Sequence, residues 1–342
     1  MKILVIGDVH HKITKFQLGC QFLRWLETTI RDRRPDCVVH LGDHFDGHSV
    51  LRSEVLAEFK HLVDAVTALN IRFYYIIGNH DQFRPNDSRY HALQALKDTN
   101  PLFVVIDSPF HIPECKLSFI PFIHDITKFP TETQDICFAH QTFLGADYGY
   151  MRPDVGVDPN AITANLIISG HVHTRQEFGK VIYPGSAYAQ SANDINQAKG
   201  LLLFDTETYA REFIECPLPQ WRRVERVITP EYTIDMLHEE LKILLVPQHH
   251  WVISLIGSKS EISSYIQSTR YQDIVVGIDV QLKTQFTDAV KRRVQIGVAS
   301  SEQIVQEYIE RIYSGSIDKE LLLHNALDIL KKVRSSNLSP QK

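Results

Sequence analysis

Five short apolar runs in the first half of the chain each end in a cluster of carboxylate, amide or imidazole side chains. The clusters are Gly7-Asp8-Val9-His10, Gly42-Asp43-His44-Phe45-Asp46, Gly78-Asn79-His80-Asp81, Phe138-Ala139-His140 and Ser169-Gly170-His171-Val172-His173. Runs of this length and composition are typical of buried strands. In layered α/β folds, ligands bind at the carboxyl ends of the strands. The repeated ending therefore favours an α/β fold with a binding site at one edge of a sheet.

Strand-like and helical stretches alternate along residues 1–215. Strands are predicted at residues 2–7, 37–42, 72–78, 102–106, 116–120, 135–140, 166–170 and 200–204. Apolar residues at helical spacing predict helices at residues 16–31, 50–69 and 90–96. This alternation predicts a layered α/β domain over residues 1–215.

The segment Cys216-Pro217-Leu218-Pro219 marks a boundary, because two prolines interrupt regular structure. Strands at residues 223–228, 251–257 and 278–282 then alternate with helices at residues 233–245 and after a capping-box sequence at residues 258–261. They predict a small α+β domain over residues 216–295. Residues 296–335 predict a helical hairpin, followed by a tail at residues 336–342. The apolar stripes of the hairpin pack either on the same chain or on a partner; they include Ile304, Tyr308, Ile312, Leu322 and Leu330.

The composition is that of a globular protein rather than a disordered one. The 342 residues are 44% hydrophobic and carry a net charge of −5, which excludes a strongly basic nucleic-acid binder but allows a local basic groove. The sequence has no apolar run long enough to span a bilayer, and its first residues do not resemble a signal peptide, so we expect a cytoplasmic protein without a membrane segment. The five cysteines form no CxxC pair and are predicted to be buried free thiols.

The residue types in the five clusters are those of a metal site. Asp8 and His10 are two residues apart, as are His171 and His173, so each pair points to one side of an extended strand tip. Mixed carboxylate, amide and imidazole donors suit Mn²⁺, Fe²⁺, Mg²⁺ or Zn²⁺, and one carboxylate can bridge two ions. A single aspartate or histidine at a strand end is more often a turn cap or a core residue. Five clusters in this order indicate a shared site instead.

In this order the clusters resemble the calcineurin-like metallophosphoesterase superfamily, over about residues 3–190. The resemblance implies an α/β fold in the form of a four-layer αββα sandwich, with a dinuclear metal site at one edge. It assigns the first metal to Asp8, His10, Asp43 and His173, and the second metal to Asp43, Asn79, His140 and His171. His80 would then be the general acid or the stabiliser of the transition state. Asp81 would either orient His80 or cap the turn.

The remaining chain resembles SbcD-type DNA-repair nuclease subunits, especially their compact tailed-phage versions. The resemblance rests on Tyr183-Pro184-Gly185-Ser186, on the small α+β domain and on the terminal hairpin. It implies Mn²⁺-dependent cleavage of double- and single-stranded DNA, with Mg²⁺ as the alternative ion, in a bacterial or phage-infected cell. It also implies that the hairpin docks on an SbcC-type SMC-like ATPase.

The same resemblance implies a homodimer within a heterotetramer, formed through helices near residues 50–69 and 90–96. Ordinary packing of these helices on the sandwich is the alternative. Arg84, Arg89 and Lys12 are the best-placed candidates for DNA phosphate contacts. The basic run at residues 291–293 is weaker, since such runs are usually solvated.

Two departures from the family pattern concern substrate positioning rather than the metal set. His11-Lys12 stands where the family often has Leu-Gly, and Asp46 stands where some members have histidine. His44, His48 and His124 are expected to support the site or lie on the surface, because the ligand set is complete without them.

Two other functions are alternatives for a chain with these clusters. A stand-alone metallophosphatase or cyclic-nucleotide phosphodiesterase shares the clusters, but leaves the chain after Pro217 unexplained. A non-catalytic scaffold predicts missing ligands, whereas every ligand position and His80 are filled.

Overall fold

The structure is a computed structural model, and it describes residues 1–48, 50–84, 87–149, 151–287, 306, 309 and 318–336. The strands are β1 Lys2–Ile6, β2 Cys37–His40, β3 Arg72–Ile76, β4 Gln82–Arg84, β5 Asp87–His91, β6 Phe103–Ile106, β7 Phe110–Ile112, β8 Leu117–Ile120, β9 Ile136–His140, β10 Leu166–Gly170, β11 Gln176–Phe178, β12 Val181–Tyr183, β13 Gly200–Asp205, β14 Arg211–Glu215, β15 Trp221–Val227, β16 His250–Gly257 and β17 Asp279–Phe286. The helices are α1 Phe16–Arg33, α2 Ser53–Ala68, α3 Ile234–Leu244, α4 Lys259–Gln267, α5 Thr269–Val275 and α6 Lys319–Ser336.

Two six-stranded sheets form the body of the first part of the chain. The first sheet has the order β14-β13-β1-β2-β3-β6, and the second has the order β11-β12-β10-β9-β8-β7. Strands β1, β2, β3 and β6 are parallel, as are β8, β9, β10 and β12. An apolar core that includes Val39, Ile76, Phe119 and Phe138 lies between the sheets. The α/β sandwich predicted from the sequence is confirmed.

The outer faces of the two sheets are covered differently. Helices α1 and α2 cover the first sheet through a core that includes Phe22, Leu26 and Phe59. The second sheet is covered by loops and short 3-10 turns, whose apolar side chains include Phe143 and Val157. Fully buried side chains of this size each stabilise the fold by about 1.5–3 kcal/mol relative to an exposed position.

A third sheet follows the sandwich, in the order β15-β16-β17, with all strands parallel. Helices α3, α4 and α5 share one apolar cluster with it, which includes Leu237, Ile253 and Ile262. The elements of the predicted small α+β unit are therefore present, including the half-buried alternation of β17. Trp221 and Val252 of this sheet pack on Ala189 of the sandwich.

The chain divides into two compact units, Met1–Thr287 and Asp288–Lys342. The first unit contains the sandwich together with the small sheet. In the second unit, α6 corresponds to the second predicted helix of the hairpin. The domain boundaries at residues 215 and 295 stay predictions.

Three local expectations were wrong. Residues 90–96 are not a helix: β5 ends at His91 and a turn follows, because the Ala92 N–H donates to the Asp81 carbonyl at 2.8 Å. Cys115 is exposed, whereas the other four cysteines are buried and all five are free. Helix α4 does begin after Ser258, but this residue makes no capping hydrogen bond with its side chain.

Among the described helices, none combines the length and apolar character needed to cross a membrane.

Candidate metal centre

The five clusters meet at one edge of the sandwich, where the carboxyl ends of β1, β2 and β3 face those of β9 and β10. Three of the clustered residues have left-handed backbone conformations, with φ of 43° at His10, 52° at Asp43 and 80° at His171. Such values are uncommon outside glycine and tend to occur at functional sites. Gly78 is required beside them, because a Cβ there would lie 2.2 Å from Asp43 Oδ1.

One group of candidate ligands consists of Asp8, His10 and His173. Each offers an oxygen or nitrogen atom, and these atoms lie within 4.8 Å of one another. The Nε2 atoms of His10 and His173 are 3.1 Å apart, and His10 Nε2 is 3.8 Å from Asp43 Oδ2. These are the residues that the resemblance assigns to the first metal, together with Asp43.

A second group consists of Asp43, His140 and His171, whose ligand atoms also lie within 4.8 Å of one another. His140 Nε2 is 3.3 Å from Asp43 Oδ2. The amide oxygen of Asn79 lies 3.0 Å from His140 Nε2 and 2.7 Å from His171 Nδ1. These four residues are those assigned to the second metal. Asp43 faces histidines of both groups, as a bridging carboxylate must.

Burial and charge set the protonation of these side chains. Burial lowers the pKa of His171 to about 3 and that of His10 well below its ordinary value, so both imidazoles are neutral and can act as ligands. Burial alone would lower the pKa of His140, but the Asp43 and Asp8 carboxylates raise it to about 9. Burial would raise the pKa of Asp43, but His140 above all holds it below its usual range. The centre therefore offers neutral imidazoles beside the ionised Asp43 carboxylate, and these are donors that a cation can bind.

His80 lies at the mouth of the centre. Its backbone N–H donates to Asp43 Oδ1 at 2.7 Å, and its Nδ1 donates to the Asp46 carbonyl at 2.8 Å. The ring stacks on His48, with centroids 4.4 Å apart, and meets the edge of His10 at 4.6 Å. The imidazole is thus held on several sides while Nε2 remains for proton transfer.

Asp81 contacts the turn rather than the His80 ring. Its carboxylate accepts from the backbone N–H of Asp43 at 2.8 Å and of Gly78 at 2.9 Å, and from the Tyr75 hydroxyl at 2.9 Å. Burial raises the pKa of Asp81 to about 7. The sequence allowed Asp81 either to orient His80 or to cap the turn. These contacts are those of a residue that caps the turn.

The loop at residues 184–199 supports the first group through hydrogen bonds to its backbone. The sequence did not predict most of these supporting contacts. Lys199, which is fully buried, donates to the His173 carbonyl at 2.7 Å and pairs with Asp194 at 2.6 Å. The Gln190 side chain donates to the Val9 carbonyl at 2.5 Å. The only sequence signal is a lysine and an aspartate in a loop, which would ordinarily be exposed.

The predicted DNA and partner residues are less completely described. Lys12 is partly exposed and pairs with Asp46 at 3.1 Å, and the exposed Arg84 lies over the Phe83 ring. Leu322 is half-buried on α6. The remaining candidates lie wholly, or with their side chains, outside the described residues: Arg89, Ile304, Tyr308, Ile312 and Leu330.

The donor set fits two divalent cations. Oxygen and imidazole donors without a thiolate suit borderline-to-hard ions such as Mn²⁺ or Mg²⁺. Asp8 and Asp43 are completely buried, and buried carboxylates of this kind are paired or coordinate metals.

Comparisons with known proteins agree with this chemistry. The family model of calcineurin-like phosphoesterases matches residues 1–175. The chain is 24% identical over 343 residues to "Exonuclease subunit 1" of Enterobacteria phage T4, covering 95% of this chain and 97% of that protein. It is 29% identical over 215 residues to "Putative phosphoesterase 244L" of Invertebrate iridescent virus 6, covering 59% of this chain and 75% of that protein. The similarity to the phage protein therefore extends well beyond the clusters.

Proposed function

Because the chain belongs to the calcineurin-like phosphoesterase family, we propose that it is a nuclease subunit that hydrolyses DNA phosphodiester bonds with two divalent metal ions. Mn²⁺ is the ion that we propose, with Mg²⁺ as the alternative. The observation that carries the proposal is the pair of ligand groups that share Asp43. Similarity to a phage exonuclease subunit over 95% of the chain supports DNA as the substrate.

In this proposal Asp8, His10, Asp43 and His173 hold one ion, and Asp43, Asn79, His140 and His171 hold the other. When bound, two such cations supply an activated water and neutralise charge on the phosphate oxygens. His80 donates a proton from Nε2 to the leaving oxygen, since its Nδ1 is engaged by the Asp46 carbonyl. Asp81 keeps the Gly78 turn and the Asp43 backbone in place.

The proposal extends to the assembly. The alignment with a protein named as a subunit supports a partner, which we propose to be an SbcC-type SMC-like ATPase docked on the hairpin. We further propose a homodimer within a heterotetramer, with Lys12, Arg84 and Arg89 near the DNA, in a bacterial or phage-infected cell.

A nuclease assay tests the function. Linear duplex DNA and single-stranded circles are incubated with Mn²⁺, with and without the ATPase partner, and with a small aryl phosphodiester in parallel. His80→Ala should lower the rate by about 10²–10⁴-fold, which is the usual contribution of a general acid, and should retain its bound metal. His111→Ala, an exposed histidine of the edge strand β7, is the matched control and should leave the rate unchanged. Hydrolysis of the aryl ester without any cleavage of DNA, even with the partner, would favour the phosphatase or cyclic-nucleotide phosphodiesterase alternative.

A further inference from the structure

Asp46 lies beside the proposed metal centre and contacts three of its neighbours. Its Oδ1 is 3.6 Å from His10 Nδ1 and 3.1 Å from Lys12 Nζ. Its backbone carbonyl accepts from His80 Nδ1 at 2.8 Å. One residue thus approaches a proposed metal ligand by its side chain and the proposed general acid by its main chain.

His10 has an unsatisfied nitrogen on the side that faces Asp46. The residue is 4% exposed, and its Nδ1 is buried without a hydrogen-bond partner among the described residues. Its other ring nitrogen, Nε2, faces Asp43 and His173. A buried N–H without an acceptor is costly. Asp46 Oδ1 lies 3.6 Å from His10 Nδ1, and a small movement of the side chain would bring it within hydrogen-bond distance as the acceptor.

We propose that the Asp46 side chain is a positioning group that fixes the tautomer and ring orientation of His10. Metal-ligating histidines generally donate their second ring N–H to a carboxylate or carbonyl, which directs the other nitrogen to the metal. The Asp46 carboxylate does this for His10. Lys12 holds the carboxylate in place from the solvent side.

A third cation is the competing explanation of the same contacts. Ligand atoms of His10, Asp46 and His80 lie within 4.8 Å of one another. The Lys12 ammonium group, however, already places a positive charge 3.1 Å from the Asp46 carboxylate. A further cation there would meet this charge, so the arrangement favours a hydrogen-bonded network.

The inference rests on the proposed metal centre. Mn²⁺ calorimetry on the full chain tests the metal centre and the role of Asp46 separately. Wild type should bind two ions. Asp46→Ala should weaken one of them by about 10–100-fold, as loss of a histidine's outer partner generally does. Asp46→Asn should retain most of the affinity, because its amide oxygen still accepts from His10. Glu27→Ala, which breaks a surface ion pair with Arg31 on α1, is the matched control and should leave both affinities unchanged.

The tautomers give a second readout that does not depend on activity. In ¹⁵N spectra of histidine-labelled protein without metal, where no cation fixes the ring, the His10 signals should indicate a protonated Nδ1 in wild type and a mixture of tautomers in Asp46→Ala. Unchanged affinity and an unchanged tautomer in Asp46→Ala would overturn the role of Asp46. Three ions in wild type and two in the variant would overturn it in favour of a third cation site. Wild type that binds no Mn²⁺ would overturn the metal centre itself.

Discussion

The two groups of candidate ligands are supported in different ways. The first group, Asp8, His10 and His173, is held mainly by the loop at residues 184–199. In this loop the Ala187 N–H donates to the Asp8 carbonyl at 2.8 Å, and Lys199 donates to the His173 carbonyl. The loop approaches so closely that a Cβ on Gly7 would lie 1.9 Å from the Gly185 carbonyl oxygen.

The second group is held by the strand ends that carry it. His140 is the last residue of β9, and its Nδ1 donates to the Leu41 carbonyl at 2.7 Å. Asp81 joins the Gly78 and Asp43 N–H groups across two strand ends. The support of this group therefore comes mainly from the strands and turns that carry its ligands.

The difference indicates where each metal site can be changed alone. The first group depends on a buried ion pair in a separate loop, so its support can be removed without touching a ligand. The second group shares Asp43 with the first, so damage to its support reaches both ions.

The largest effect is expected at Asp43, the carboxylate shared by both groups. Asp43→Asn should abolish binding of both ions and lower the rate of DNA cleavage by about a thousandfold or more, since metal stabilisation of the transition state contributes several kcal/mol. Metal analysis and single-turnover assays measure this. Retention of one tightly bound ion would break the assignment of Asp43 as the bridge.

Lys199→Met should act on the first group only. Removal of one partner of a buried ion pair generally costs about 3–5 kcal/mol, because Asp194 is left buried and uncompensated. We expect this loss in urea unfolding, with weaker binding of one Mn²⁺ ion. The double variant Lys199→Met/Asp194→Asn should recover part of the stability. Equal weakening of both ions in Lys199→Met would contradict the contrast between the groups.

Tyr75→Phe should have a smaller effect that reaches both ions through Asp81. The hydroxyl donates to Asp81 and accepts from the His44 N–H at 2.9 Å, so its removal leaves buried groups without a partner. The expected loss is about 1–3 kcal/mol of unfolding free energy. Urea unfolding and metal titration measure both consequences. A variant as stable as wild type would show that Asp81 needs no third donor.

The smallest effect is the pH dependence of metal binding. Without bound metal, His140 has a pKa raised to about 9 and is protonated at neutral pH. A cation binds the neutral imidazole, so binding must release this proton. Affinity should rise as pH increases towards 9 and level off above it. Calorimetry at pH 7 in two buffers of different ionisation enthalpy detects the release; its absence would place His140 outside the ligand set.

Strong local patterns allowed much of the fold and the site to be predicted from the sequence. Strand β10 matches the predicted residues 166–170, because a buried apolar run with a polar end has few other interpretations. Residues 90–96 were predicted wrongly, since a short stretch with helical spacing is overridden by its contact with the Asp81 turn. Lys199 and Tyr75 could not be predicted as supports, because their roles depend on partners that only the folded chain brings near.

Anomalous diffraction from crystals grown with Mn²⁺ tests the two-metal centre most directly. We expect two peaks per chain, one among Asp8, His10 and His173 and one among Asn79, His140 and His171, with Asp43 between them. A single peak, or peaks away from these side chains, would contradict a two-metal centre built from the five strand ends.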